Sequence, residues 1–99
     1  MIKGAICLYL HLGQDTVVTL EEIIGIFDLD TTTVSKATRN YLADAEKAGD
    51  VINVSMELPK SFIVCASPER TSGRVIYISQ ISSATLLKRT EFIDKLANI

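Results

Sequence analysis

Thr31-Thr32-Thr33-Val34-Ser35-Lys36-Ala37-Thr38-Arg39-Asn40-Tyr41-Leu42-Ala43-Asp44-Ala45-Glu46-Lys47-Ala48-Gly49 is the internal stretch with a helical period, and the segments on either side of it have the period of strands. Val34, Ala37, Tyr41, Ala45 and Ala48 recur at spacings of three and four, which predicts one buried helix face, while Lys36, Arg39, Asn40, Asp44 and Lys47 fall on the other. The hydroxyls of Thr31 to Thr33 are suited to cap the first free N–H groups, and Gly49 is suited to the left-handed residue that ends a helix. A helix of about four turns with so narrow and small an apolar stripe lies close on a sheet but cannot cover a wide one.

Working outward, Ala5 to Leu12 alternates Ile6, Leu8, Leu10 and Leu12 against Cys7, Tyr9 and His11, which predicts a strand. Gly13-Gln14-Asp15 then predicts a turn and Thr16-Val17-Val18 the returning strand of a hairpin. Thr19 is placed to cap a short turn through Leu20-Glu21-Glu22, with the two acids at its positive end. Ile23 to Phe27 predicts a third strand, in which Gly25 marks a bulge or a close approach of another backbone. Beyond the helix, Asp50 to Ser55 predicts a short strand, Met56 to Lys60 a loop closed by Pro59, and Ser61 to Ala66 a strand apolar on both faces. Ser67 to Gly73 is the polar loop of a second hairpin, completed by Arg74 to Ser79. Ser82 or Ser83 caps a final helix bearing Leu86, Leu87, Phe92, Ile93 and Leu96.

The predicted fold class is therefore α+β: small antiparallel sheets, one central helix and one C-terminal helix, in a single domain over residues 1–99. Four strands carry apolar residues on both sides, and two helices offer too little cover. From this shortfall a homo-oligomer is expected, each copy covering part of its neighbour.

The 99 residues carry a formal net charge of -2, with 47% hydrophobic and 22% charged residues, which excludes a disordered chain and a uniformly basic nucleic-acid binder. No apolar run approaches the roughly 18 residues of a membrane span, and the opening stretch lacks a cleavage site, so a cytoplasmic protein with no membrane contact is expected. Cys7 and Cys65 sit in apolar runs and are expected as buried, reduced thiols. A single histidine, His11, and the absence of a Cys-x-x-Cys pair leave no metal-ligand spacing, no cofactor motif and no catalytic constellation. Glu21 and Glu22, being neighbours, point apart and form no acid/base pair.

Several segments in order resemble one family. Tyr9-Leu10-His11-Leu12-Gly13 with Val17-Val18, Ile23-Ile24-Gly25-Ile26-Phe27-Asp28, Pro59-Lys60-Ser61-Phe62-Ile63-Val64, Ser82-Ser83-Ala84-Thr85-Leu86 and Lys88-Arg89 are similar to the RemA/RemB family of bacterial extracellular-matrix regulators, with the stronger likeness to the RemB branch. The resemblance implies a small cytoplasmic protein related in fold to LytTR-type DNA-binding domains. In the RemA branch it implies a ring-forming oligomer that binds DNA and activates biofilm and osmoprotection genes. RemA-type proteins carry arginines after the first hairpin and in the loop before the strand beginning at Ser61. This chain has Leu20-Glu21-Glu22 and Glu57-Leu58-Pro59-Lys60 there, so only Lys60 keeps a positive charge.

The expected function is non-enzymatic: an oligomeric DNA-binding transcriptional regulator of matrix genes. Its candidate contacts are Lys60, beside the stiffening Pro59, with Arg70 and Arg74 flanking the polar hairpin loop and Lys88 and Arg89 on the last helix. Each also has an ordinary explanation as a solvated charge. The alternative is a protein-interaction ring without DNA contact, whose acidic Glu21 and Glu22 suit a basic RemA-like paralogue.

Overall fold

The computed structural model describes residues 8–29 and 35–97, with side chains to residue 93. In chain order the strands are β1 (Tyr9–Gly13), β2 (Thr16–Thr19) and β3 (Ile23–Asp28); helix α1 (Lys36–Lys47) follows, then β4 (Val51–Asn53), β5 (Ser61–Ala66), β6 (Arg74–Ser79) and helix α2 (Ser83–Ala97). A single turn of 3-10 helix, Leu20–Glu22, joins β2 to β3. The architecture is α+β, as the sequence predicts.

Ser61-Phe62-Ile63-Val64-Cys65 is buried at every position, so β5 must be covered on both faces. Phe62 and Val64 point to one layer with Ile76 and Ala45, where α1 contributes half-buried Tyr41 and Leu42. Ile63 and Cys65 point to the other, packed with Leu10, Leu12, Val18, Val75 and Leu86. The second sheet face, expected to need a neighbouring copy, is thus covered by the chain's own β1–β2 hairpin together with α2. Two elements that look separate in sequence act as one lid, because Leu10 and Leu12 turn inward from β1 and Leu86 turns inward from α2.

The strand order is β3-β5-β6-β4, with β3–β5 and β5–β6 antiparallel. One pairing departs from the antiparallel expectation: β4 runs parallel to β6, Val51 opposite Ile76 and Asn53 opposite Ile78. Strands adjacent in sequence usually pair with each other. Here β4 and β5 form the two arms of an open hairpin, and β6 fills the gap between them.

Helix α1 is capped by Ser35, whose hydroxyl accepts from the Thr38 N–H at 3.1 Å. The caps expected at Thr31 to Thr33, the core position Val34 and the thiol of Cys7 lie outside the described residues. The buried stripe is rotated from the expected one: Ala37 and Ala48 are exposed, and Thr38 and Leu42 join Tyr41 and Ala45 on the sheet side. Gly49 ends the helix as expected, at φ +78°. Its N–H bonds to the Glu46 carbonyl at 3.0 Å and the following Asp50 N–H reaches back to Ala45 at 2.9 Å, the paired bonds of a Schellman motif.

Gly25 marks the irregularity expected of it, and the group that approaches it is a side chain, not another backbone. The register of β3 on β5 slips between Ile23 and Gly25, and a Cβ at Gly25 would stand 2.6 Å from the Phe27 ring. The slip resets the alternation of β3. Ile23 and Ile26 pack with the α2 layer, while Ile24 and Phe27 join the groove beside α1 and remain 65% and 46% exposed.

Candidate nucleic-acid interface

Ser82 caps α2, accepting from the Thr85 N–H at 3.2 Å, and this sets the phase of the helix. Leu86 then faces the core, and Thr85, Lys88, Arg89 and Phe92 fall along the side that meets β1. On β1 the outward residues are Tyr9 and His11. Between the two walls runs a groove of about 530 Å³ with Leu10 and Ile93 also lining it.

Lys88 and Arg89 are both exposed, and no carboxylate among the described residues pairs with either. Arg89 donates through Nη1 to the His11 carbonyl at 3.3 Å, which fixes the guanidinium against β1 and leaves most of its five N–H donors free. His11 is bound in turn: its Nε2–H donates to the Gln14 carbonyl at 2.6 Å, holding the β1–β2 turn where Gln14 takes φ +48°. The histidine is a structural brace at the rim of the groove.

Arg70 and Arg74 belong to a different cluster. Asp50, nearly buried, holds Arg70 Nη1 at 3.4 Å and lies 3.6 Å from Arg74 Nε. Arg70 also donates to the Gly49 carbonyl at 2.8 Å, and Arg74 lies over the Tyr41 ring at 4.7 Å. A hydrogen bond with Ser72, the bond from Arg70 and the two guanidinium charges hold the Asp50 carboxyl below its ordinary value, against the opposing effect of burial. These arginines clamp the end of α1 to the β5–β6 hairpin.

Lys60 is exposed at the opposite end of that hairpin, because Ser61 pairs with Ser79 while Ala66 pairs with Arg74. Six residues of strand separate the two ends by roughly 20 Å. In one copy the five candidate cations therefore fall in three places, with Lys88 and Arg89 together on an open groove. Of the two acids, Glu22 serves the turn: it accepts from both the N–H and the hydroxyl of Thr19, at 2.9 and 2.6 Å, and these bonds lower its pKa. Cys65 is a buried free thiol whose pKa burial pushes up to about 12. Among the described residues no cluster could hold a metal ion, and no helix is long and apolar enough to cross a membrane.

Sequence reasoning missed Tyr9 and Phe92 as neighbours of the cations. The signal was present: Tyr9 and His11 share a strand side, and Phe92 follows Lys88 and Arg89 by four and three residues. Phe92 looks like a core residue by its period, but it is 63% exposed.

A family model described as extracellular matrix regulatory protein A-like, RemA-like, matches residues 9–90. The chain is also 34% identical over 89 residues to extracellular matrix regulatory protein B of Bacillus subtilis (strain 168), covering 90% of this chain and 98% of the relative. The matched span takes in every strand, the whole of α1 and the cationic turns of α2, so the chain belongs to the RemA-like family of extracellular matrix regulatory proteins.

Proposed function

We propose that the protein is a non-enzymatic, cytoplasmic regulator of matrix genes that binds DNA as an oligomer. The observation that carries this reading is the pair Lys88 and Arg89, exposed, without carboxylate partners among the described residues and braced on β1 through His11. Lysine supplies a point charge and arginine a fork of donors, the two complements of a phosphate chain. Lys60 adds a second contact on the sheet end. Arg70 and Arg74 support this function by holding the fold, through Asp50.

Repetition compensates for a small patch on an acidic chain. In this reading a second copy is seated through Met56 and Leu58, which are 101% and 75% exposed in the loop after β4. Its counterpart is the apolar groove of about 350 Å³ lined by Ile24, Phe27, Tyr41 and Phe62. Glu57, between the two knobs, is complementary to Lys36 and Arg39 at the start of α1, where no acid stands in the first turn. Linked copies turn weak phosphate contacts into a binding surface of high salt sensitivity.

A mobility-shift titration of duplex DNA across salt tests the function. The double variant Lys88→Glu, Arg89→Glu is expected to abolish the retarded species, and a wild type with no retarded species at low salt would refute the reading. A second reading, a protein-interaction ring that engages a RemA-like paralogue, draws on the apolar Met56-Glu57-Leu58 loop and the exposed acid Glu21. Binding to a purified basic paralogue, unchanged by nuclease, distinguishes it.

A further inference from the structure

We infer that the groove between β1 and α2 takes unstacked nucleotides, so that the ligand at this site is a single strand or a free nucleotide and not only the outer phosphates of a duplex. The inference rests on the DNA-binding reading above and specifies the ligand of the same groove.

Cations alone would suit any phosphate chain, but this groove also presents aromatic surface on both walls. Tyr9 stands 53% exposed on β1 and Phe92 63% exposed on α2, and both line the same cavity as Lys88 and Arg89. Exposed rings gain nothing from a duplex backbone, whose bases are stacked inside. They gain about 1–3 kcal/mol from each unpaired base that stacks on them, and they do so without sequence preference. A cationic track beside aromatic platforms is the combination that single-strand binders use.

The spacing fits such a chain. Tyr9 and His11 repeat along β1 at about 7 Å per two residues, and Phe92 follows Lys88 and Arg89 by about 6 and 4.5 Å of helix rise. Each wall therefore offers one ring, and on the α2 wall Lys88 and Arg89 stand within about one turn of it. The floor, formed by Leu10 and Ile93, is apolar and suits a base edge better than a hydrated phosphate. Arg89 is tied to the His11 carbonyl by one N–H, so its remaining donors are oriented before the ligand arrives.

Fluorescence anisotropy of the full chain tests this, using a labelled single-stranded DNA of about 12 nucleotides and the duplex of the same sequence. The single strand is expected to bind, and Phe92→Ala to weaken it by roughly 5- to 100-fold while duplex affinity changes by less than about twofold. Phe92→Tyr should restore single-strand affinity and Phe92→Leu should not, since leucine keeps the bulk but not the π face. Displacement by adenosine monophosphate assigns the site to free nucleotides as well as strands; failure to displace assigns it to strands. Duplex binding with no single-strand binding, or equal affinities for Phe92→Leu and wild type, overturns the inference and leaves the DNA-binding reading standing. Loss of both ligands in the wild type removes the two together.

Discussion

Asp50 joins three parts of the molecule. Its N–H closes α1, its carbonyl accepts from Ile76 at 2.8 Å to start the parallel pairing, and its carboxylate faces Arg70 and Arg74. Because its folded pKa lies below the unfolded value of 3.8, its contribution to stability is complete above that value and is lost as pH falls through the lower, folded one. Urea midpoints measured from neutral pH downward should therefore fall below about pH 4 in the wild type, and Asp50→Asn should start lower and show a flatter decline. Cys65 gives a second check at this scale. With its thiol pushed up to about 12 and packed among Leu10 and Val75, it should resist a thiol reagent at pH 8 in a Cys7→Ser chain until denaturant is added. The sequence shows that Cys65 is apolar in context, but Asp50 reads only as a strand start. Its partners Arg70 and Arg74 lie about twenty residues away, and no local period records such a pairing.

Among the elements, β3 best separates what is legible in the sequence from what is not. Gly25 signals an irregularity, yet only the register slip reveals that Ile24 and Phe27 come to share a face. Phe27 stacks on Phe62 with ring centroids 5.0 Å apart and 20° between planes. Gly25→Ala should drive the Phe27 ring off that stack and cost roughly 0.5–1.5 kcal/mol, read as a lowered denaturation midpoint and a changed near-UV spectrum. The hairpin of β5 and β6, the 3-10 turn capped at Thr19 and the start of α2 at Ser82 follow from local chemistry and were all predictable. The coverage of the second face was not, because hairpin and helix each look half-clad alone and become a lid only when Leu10, Leu12 and Leu86 meet. In the site, Lys88 and Arg89 were identifiable as charges, while the sequestering of Arg70 and Arg74 was not.

For the whole molecule, the exposed apolar residues have moved from where composition places them. The faces of β5 are dry, and apart from the β1–α2 groove the largest exposures fall at Ile24 in the groove beside α1 and at Met56 and Leu58 in the loop after β4. Met56→Ser with Leu58→Ser should lower the sedimenting mass toward that of one chain while leaving each chain folded, since both side chains are exposed; an unchanged mass would remove the proposed seat. Phosphate binding should fall with it, and steeply, because avidity is lost before any contact residue is changed.

The interposed position of β6 carries a consequence for synthesis. While the chain emerges from the ribosome, residues up to Ala66 supply two strand arms whose proper neighbour has yet to be translated. Val51 and the free edge of Val64 must wait until Ile76 arrives to be flanked on both sides at once, although β5 already has β3 on its other edge. Closure of the sheet on the ribosome is therefore expected to wait for β6, and a nascent chain stalled before Arg74 should be a ready client for a chaperone.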